Sequence, residues 1–193
     1  MTYEGYIKFN CIWIEEEPFD TDIISDLNSW RQKLYNSQFI GAYPDGISYG
    51  NISCRLVDDT FLITGTATGG IEKLTNDHFS RVSDFNIADN TITCHGPIKA
   101  SSESMTHAII YKSLPLTNAV VHIHNKNLWF ELFNKVPTTS LQAAYGTPEM
   151  ASEIERLLAT TNLQEDKILV MAAHQDGLIS FGENMAEAVG KFL

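Results

Sequence analysis

The chain has 193 residues, 44% of them hydrophobic and 19% charged, with 24 acidic against 13 basic side chains and a formal net charge of −11. That length suits one domain with a full hydrophobic core, and the composition is globular, without a disordered tract or a run near the roughly 18 apolar residues that span a bilayer. The acidic balance, with no Lys/Arg cluster, argues against a nucleic-acid or membrane partner, and a start "MTYEGYIKFN" without a signal-peptide pattern points to the cytoplasm.

Alternation in residues 6–14, "YIKFNCIWI", predicts a strand, closed by the acidic, proline-containing "EEEPFDTD". Residues 22–36 place Ile23, Ile24, Leu27, Trp30 and Leu34 at helical spacing. The turn-rich "GAYPDGISYGN" (41–51) leads into a strand at 52–56. A second strand at 60–64 follows the "DD" turn. The small residues "GTATGG" (65–70) come next, then strands at 80–87 and 91–95 joined by "ADN". Residues 101–114 read as a helix with a serine N-cap and a glutamate in its first turn. A strand at 118–124 and an apolar helix around 127–133 follow. At 146–161, Thr147 caps a helix with Pro148 at its first position, where the missing N–H costs nothing. Strands near 167–172 and 177–181 and a final helix, "NMAEAVGKFL", complete a mixed α/β chain without repeats or linkers.

The chemistry-bearing pattern is "VVHIH" (120–124). Side chains alternate along a strand, so His122 and His124 share a face. Two imidazoles there are half of a metal cage, or two polar residues at the mouth of a sheet. His174 ends the apolar run "ILVMAA" and can converge from another strand, and Glu103 would add an oxygen donor. His107 shares the helix face of Glu103 and reads as a hydrogen-bonded structural histidine, while His78 and His95 read as surface or turn residues. A cupin-type site also begins with HxH, but the next carboxylate, Glu131, falls in a helical segment. Cys11, Cys54 and Cys94 show no metal-binding or paired spacing and read as reduced, buried thiols.

Taken in order, "GNIS" (50–53), "ITGTATGG" (63–70), "ASSE" (100–103), "AVVHIHN" (119–125), "YGTPEM" (145–150), "HQDG" (174–177) and a terminal "EA" helix (187–188) resemble the class II aldolase/adducin family over roughly residues 25–190. The resemblance implies a single-domain three-layer α/β/α sandwich with a mostly antiparallel central sheet over residues 1–193, residues 1–20 being an extra strand and acidic turn. It implies a homotetramer with sites at subunit interfaces. Carried over, His122, His124, His174 and Glu103 hold zinc or another divalent ion such as Mn2+, Co2+ or Fe2+, and Glu103 doubles as catalytic base. Asn51, Thr66, Thr68, Gly69, Ser101 and Ser102 match the substrate's phosphate pocket.

The implied activity is aldolase-type lyase chemistry, through an enediolate, on a small sugar phosphate or related hydroxy-ketone. The alternatives are dehydration or epimerisation on the same scaffold, or a non-catalytic assembly module as in adducin. A glutamate in "SSE", where the 4-epimerase has aspartate, leans away from epimerisation. The 63–70 loop is one or two residues longer than in the aldolases, two residues separate His174 from Gly177, and the family's C-terminal tail has no counterpart. Tyr145 is the tyrosine nearest the interval of the family's proton donor, and the general acid stays unassigned.

Overall fold

A computed structural model describes residues 6–19, 22–57 and 60–193. Part of the N-terminal extension (1–5), part of the acidic turn (20–21) and the "DD" turn (58–59) lie outside the described residues. In chain order the elements are β1 (Asn10–Glu15), α1 (Asp22–Asn36), β2 (Gly41–Ala42), β3 (Ser48–Tyr49), β4 (Asn51–Arg55), β5 (Phe61–Thr64), β6 (Phe79–Asn86) and β7 (Thr91–Gly96). There follow α2 (Ser104–Ser113), β8 (Ala119–His124), α3 (Lys126–Leu132), α4 (Pro148–Thr160), α5 (Leu163–Asp166), β9 (Ile168–Val170), β10 (Gly177–Gly182) and α6 (Met185–Val189). No helix among these is long and apolar enough to cross a membrane.

Eight strands form one sheet in the order β1-β7-β6-β5-β4-β8-β10-β9. The sheet is mixed: β1 runs parallel to β7, and the other pairings are antiparallel. Both faces are covered, which explains why β8 and β10 are buried at every position and read as near-continuous apolar runs. Ala119, Val121 and Ile123 pack on one side with Ile24, Leu27 and Leu34 of α1, Leu128 of α3 and Ala188 of α6. Val120 packs on the other with Met105 and Ile109 of α2 and Ile154 of α4. His122 and His124 continue the Val120 face, so both imidazoles look toward α2.

The expected elements recur with local differences. The first strand starts at Asn10, and Glu103, where a serine was expected, is the N-cap of α2. Thr147 and Pro148 open α4 as the sequence indicates. The turn-rich 41–51 stretch pairs β2 with β3 antiparallel, and a 3₁₀ turn forms at Asn76–His78. Both are too short to carry a periodic signal. On α1, Ile23 is exposed and the buried stripe is Ile24, Leu27, Arg31 and Leu34.

Phe181 on β10 is 1% exposed in the cluster under α2 and α4. Phe181→Ala is expected to cost about 3–5 kcal/mol of unfolding free energy, measured by urea titration; a loss under about 1 kcal/mol would contradict this packing.

Candidate metal centre

β8 delivers two imidazoles and its neighbours orient them. His122 Nδ1 lies 3.1 Å from the Leu178 carbonyl. A carbonyl only accepts, so Nδ1 carries the proton and donates, and Nε2 turns its lone pair inward. His124 Nδ1 lies 2.7 Å from the Tyr43 hydroxyl. The two Nε2 atoms are 3.1 Å apart. Nitrogens about 2.1 Å from a shared tetrahedral ion sit roughly 3.4 Å apart, so this hydrogen-bonded pair is close to the spacing of two ligands.

His174 arrives on the turn after β9. Its N–H donates to Met171 O (3.1 Å), its carbonyl accepts from Gly177 N–H (2.9 Å), and Met171 N–H closes back on Gly177 O (3.0 Å). Its ring centroid stands 5.1 Å from that of His122 and 4.6 Å from that of His124. One ligand atom from each of the three lies within 4.8 Å of the others, and none of the three side chains is more than 4% exposed. The glycine of "HQDG" allows this approach: a Cβ at Gly177 would come within 3.2 Å of His122 Cε1 and His174 Cγ.

Glu103, at the N-cap of α2, is the fourth member. Oε1 faces His174 Nδ1 at 3.2 Å and His122 Nε2 at 3.9 Å, while Oε2 accepts from Thr106 Oγ1 at 3.1 Å. Oε1 is buried and forms no aligned hydrogen bond among the described residues. Burial works to raise its pKa, but the adjacent His122 and His174 imidazoles outweigh it and hold the carboxyl at about 2. Burial, with His174 and His122 beside it, pushes His124 well below the ordinary imidazole value. An orphaned carboxylate oxygen beside three convergent imidazoles is a donor set suited to a divalent cation.

Next to Glu103 a small cavity is lined by Ser48, Tyr49, Gly50, Asn51, Gly65, Ala67, Thr68, Gly69, Ser101 and Ser102. Asn51 is placed there by register, opposite His122, and its buried Oδ1 has no hydrogen-bond partner among the described residues. Ser101 and Ser102 precede the N-terminus of α2, which favours an anion. Of the expected pocket residues, Asn51, Thr68, Gly69, Ser101 and Ser102 line it. Thr66 does not: its N–H bonds Lys99 O (2.9 Å), and Ala67, in a left-handed conformation, takes the wall position. On the far side of His124 an open cleft of about 790 Å3 is bordered by Tyr43, Tyr49, Lys126 and Asp176.

The remaining histidines sit outside the cluster. His107 is fully buried with Nδ1 2.7 Å from Ser53 Oγ, and burial lowers its pKa to about 3. His78 closes the 3₁₀ turn on Thr75, and His95 pairs with Glu16 at 2.8 Å. Tyr145 stacks on His174 (centroids 4.6 Å, 30°) and its hydroxyl accepts the Tyr6 N–H at 3.1 Å, so its ring supports the ligand. Cys11 and Cys94 approach to 3.7 Å between β1 and β7. Three contributors carried no motif: Tyr43, Ser48 and Arg31. Only Arg31 left a signal, as a cation inside the apolar stripe of α1.

A family model described as "Class II Aldolase and Adducin N-terminal domain" matches residues 45–193. No curated protein matches the sequence. Among solved structures, an L-fuculose 1-phosphate aldolase superposes with TM-score 0.68 at 18% identity, covering 90% of this chain and 81% of that one. A sugar-phosphate aldolase from Thermotoga maritima gives 0.65 at 18%, covering 87% and 88%. An L-fuculose 1-phosphate aldolase from Glaciozyma antarctica PI12 gives 0.56 at 16%, covering 92% and 73%. At these identities the likeness is one of fold.

Two outcomes are expected. His122→Ala and His174→Ala each lose stoichiometric divalent metal, by elemental analysis, while keeping the far-UV CD of the parent; full metal retention in both would refute the ligand assignment. In metal-free protein, His107 and His124 stay neutral in the fold where unfolded imidazoles, near 6.5, take up protons. Unfolding then binds protons, so stability falls as pH drops below 6.5, and Glu103 adds a loss of the same sign between 4.5 and 2. Urea midpoints at pH 7.5 and 5.5 check this, and a higher midpoint at pH 5.5 would reverse the sign.

Proposed function

The chain belongs to the class II aldolase and adducin family, and from that premise we propose that it is a divalent-metal-dependent lyase of the aldolase type, acting on a small sugar phosphate or related hydroxy-ketone. The single observation that carries the reading is the convergence of His122, His124 and His174 within 4.8 Å beside the Oε1 atom of Glu103. A non-catalytic assembly module would have no use for such a buried, costly polar cluster. His122, His124 and His174 would hold such a cation, zinc in the family-typical case, which when bound would supply Lewis-acid polarisation of a carbonyl and stabilisation of developing enediolate charge.

The chain's own groups supply the rest. The Leu178 carbonyl fixes the His122 tautomer, and Tyr43 orients His124. Glu103 is ionised and turns one oxygen into the cluster, where it can take a proton from the substrate hydroxyl or α-carbon. The adjoining cavity offers Asn51, Ser101, Ser102 and the backbone of Thr68 and Gly69 to a phosphoryl group, which holds the reacting carbons beside Glu103. Dehydration would pass through the same enediolate, so the carboxylate and the cation serve it equally. Helices packed on both faces of the sheet support the α/β/α layering, and the family resemblance supports a cytoplasmic homotetramer.

Phosphorylated ketoses assayed in parallel for aldehyde release and for loss of water test the reading. Aldehyde release is the expected result, and water loss alone would make the protein a dehydratase. Glu103→Gln is expected to retain the metal and lower turnover by about 10²–10⁴-fold. Unchanged turnover would remove Glu103 as the base.

A further inference from the structure

Arg31 occupies the buried stripe of α1 between Leu27 and Leu34 and is 1% exposed. Nη1 donates to Glu72 O at 3.0 Å, and Nη2 donates to Thr68 O at 3.1 Å and Gly69 O at 2.8 Å. The guanidinium carbon lies 4.6 Å from the centroid of the Tyr35 ring. No carboxylate among the described residues pairs with Arg31. Burial lowers its pKa to about 10, which leaves it charged at neutral pH. A buried cation held by carbonyl dipoles and one aromatic ring, with no carboxylate partner among the described residues, is expensive, so a fold that keeps one gains something from its charge.

The peptide planes carry that charge to the other side of the loop. In a trans peptide the C=O and N–H point in opposite directions. Anchoring the Thr68 and Gly69 carbonyls on Arg31 therefore turns the N–H groups of Gly69 and Gly70 away from it, toward the cavity wall. Gly70 N–H accordingly donates to Ser48 Oγ at 3.2 Å, and Ser48 lines the cavity. The loop lies close against β2 and β3, where a Cβ at Gly69 would come 2.5 Å from Tyr49 O and 2.7 Å from Gly41 O. The described lining contains no Lys or Arg and one carboxylate, Glu103, in a chain of net charge −11. Behind the wall, Arg31 adds a full positive charge to the partial one at the α2 N-terminus.

We propose that Arg31 is the positioning residue of the phosphate subsite. Its guanidinium, through the Thr68 carbonyl, aims the Gly69 N–H at a phosphoryl group, holds the Gly70 N–H on the cavity-lining Ser48, and balances the phosphoryl charge across the loop. The inference rests on the reading of this cavity as the phosphate pocket.

Titration of the full chain with inorganic phosphate, by calorimetry, tests both levels separately. Wild type is expected to bind, and Arg31→Met to bind at least roughly tenfold more weakly. Arg31→Lys keeps the charge but cannot span three carbonyls, so it should recover part of the affinity while melting no higher than Arg31→Met. A role confined to packing gives the opposite order, with affinity following melting temperature. Arg31→Gln serves as the neutral comparison should Arg31→Met not fold. Absence of phosphate binding in wild type overturns the pocket and the inference with it, whereas equal binding in wild type and the neutral variants overturns Arg31 alone.

Discussion

His122 Nε2 and His124 Nε2 lie 3.1 Å apart where both side chains are almost wholly buried. His122 Nδ1–H donates to the Leu178 carbonyl, so its Nε2 presents a lone pair that accepts from His124 when His124 carries its proton on Nε2. Glu103 Oε1 close by has no aligned donor among the described residues. Imidazole nitrogens and a carboxylate oxygen gathered in one buried place form a donor set that suits a positive centre.

The sheet makes the crowding possible. Alternation along β8 sends Val121 and Ile123 into one apolar layer while His122 and His124 emerge on the other face. Antiparallel neighbours set Asn51 opposite His122 and Gly177 opposite His124. The glycine is small enough to let the His174 turn close over the pair. α2 then points its N-terminus, with Glu103, Ser101 and Ser102, at the same edge. A single strand thus connects the imidazole cluster, the cavity beside Glu103 and the core, and a register slip by one residue would turn both imidazoles into the opposite apolar layer.

Polar groups buried at this density oppose stability. Arg31, Glu103, His107, His122, His124 and His174 are each at most 4% exposed. Apolar packing on both faces of the sheet offsets that cost, and hydrogen bonds such as His107 to Ser53 reduce it. The lowered pKa values of His107 and His124 are the same cost seen from the proton's side: the fold keeps them neutral.

Much of the architecture was legible in the chain itself, because it follows from local periodicity. Fifteen consecutive helical positions in 22–36, the Thr147–Pro148 start of α4 and the apolar run ending in HIH need only neighbours in sequence to be read. The candidate ligands were legible as residue types at separate positions, and the ordered motifs tied them to one family. Only the tertiary structure decided that Ala67 takes the place expected of Thr66 and that Tyr145 turns its hydroxyl to the N-terminal segment. It alone put Arg31 behind the 65–72 loop. Those outcomes depend on contacts between residues tens of positions apart, such as the 37 and 38 residues that separate Arg31 from Thr68 and Gly69. Spacing along a chain cannot encode the direction of a peptide plane or a hydroxyl; packing does.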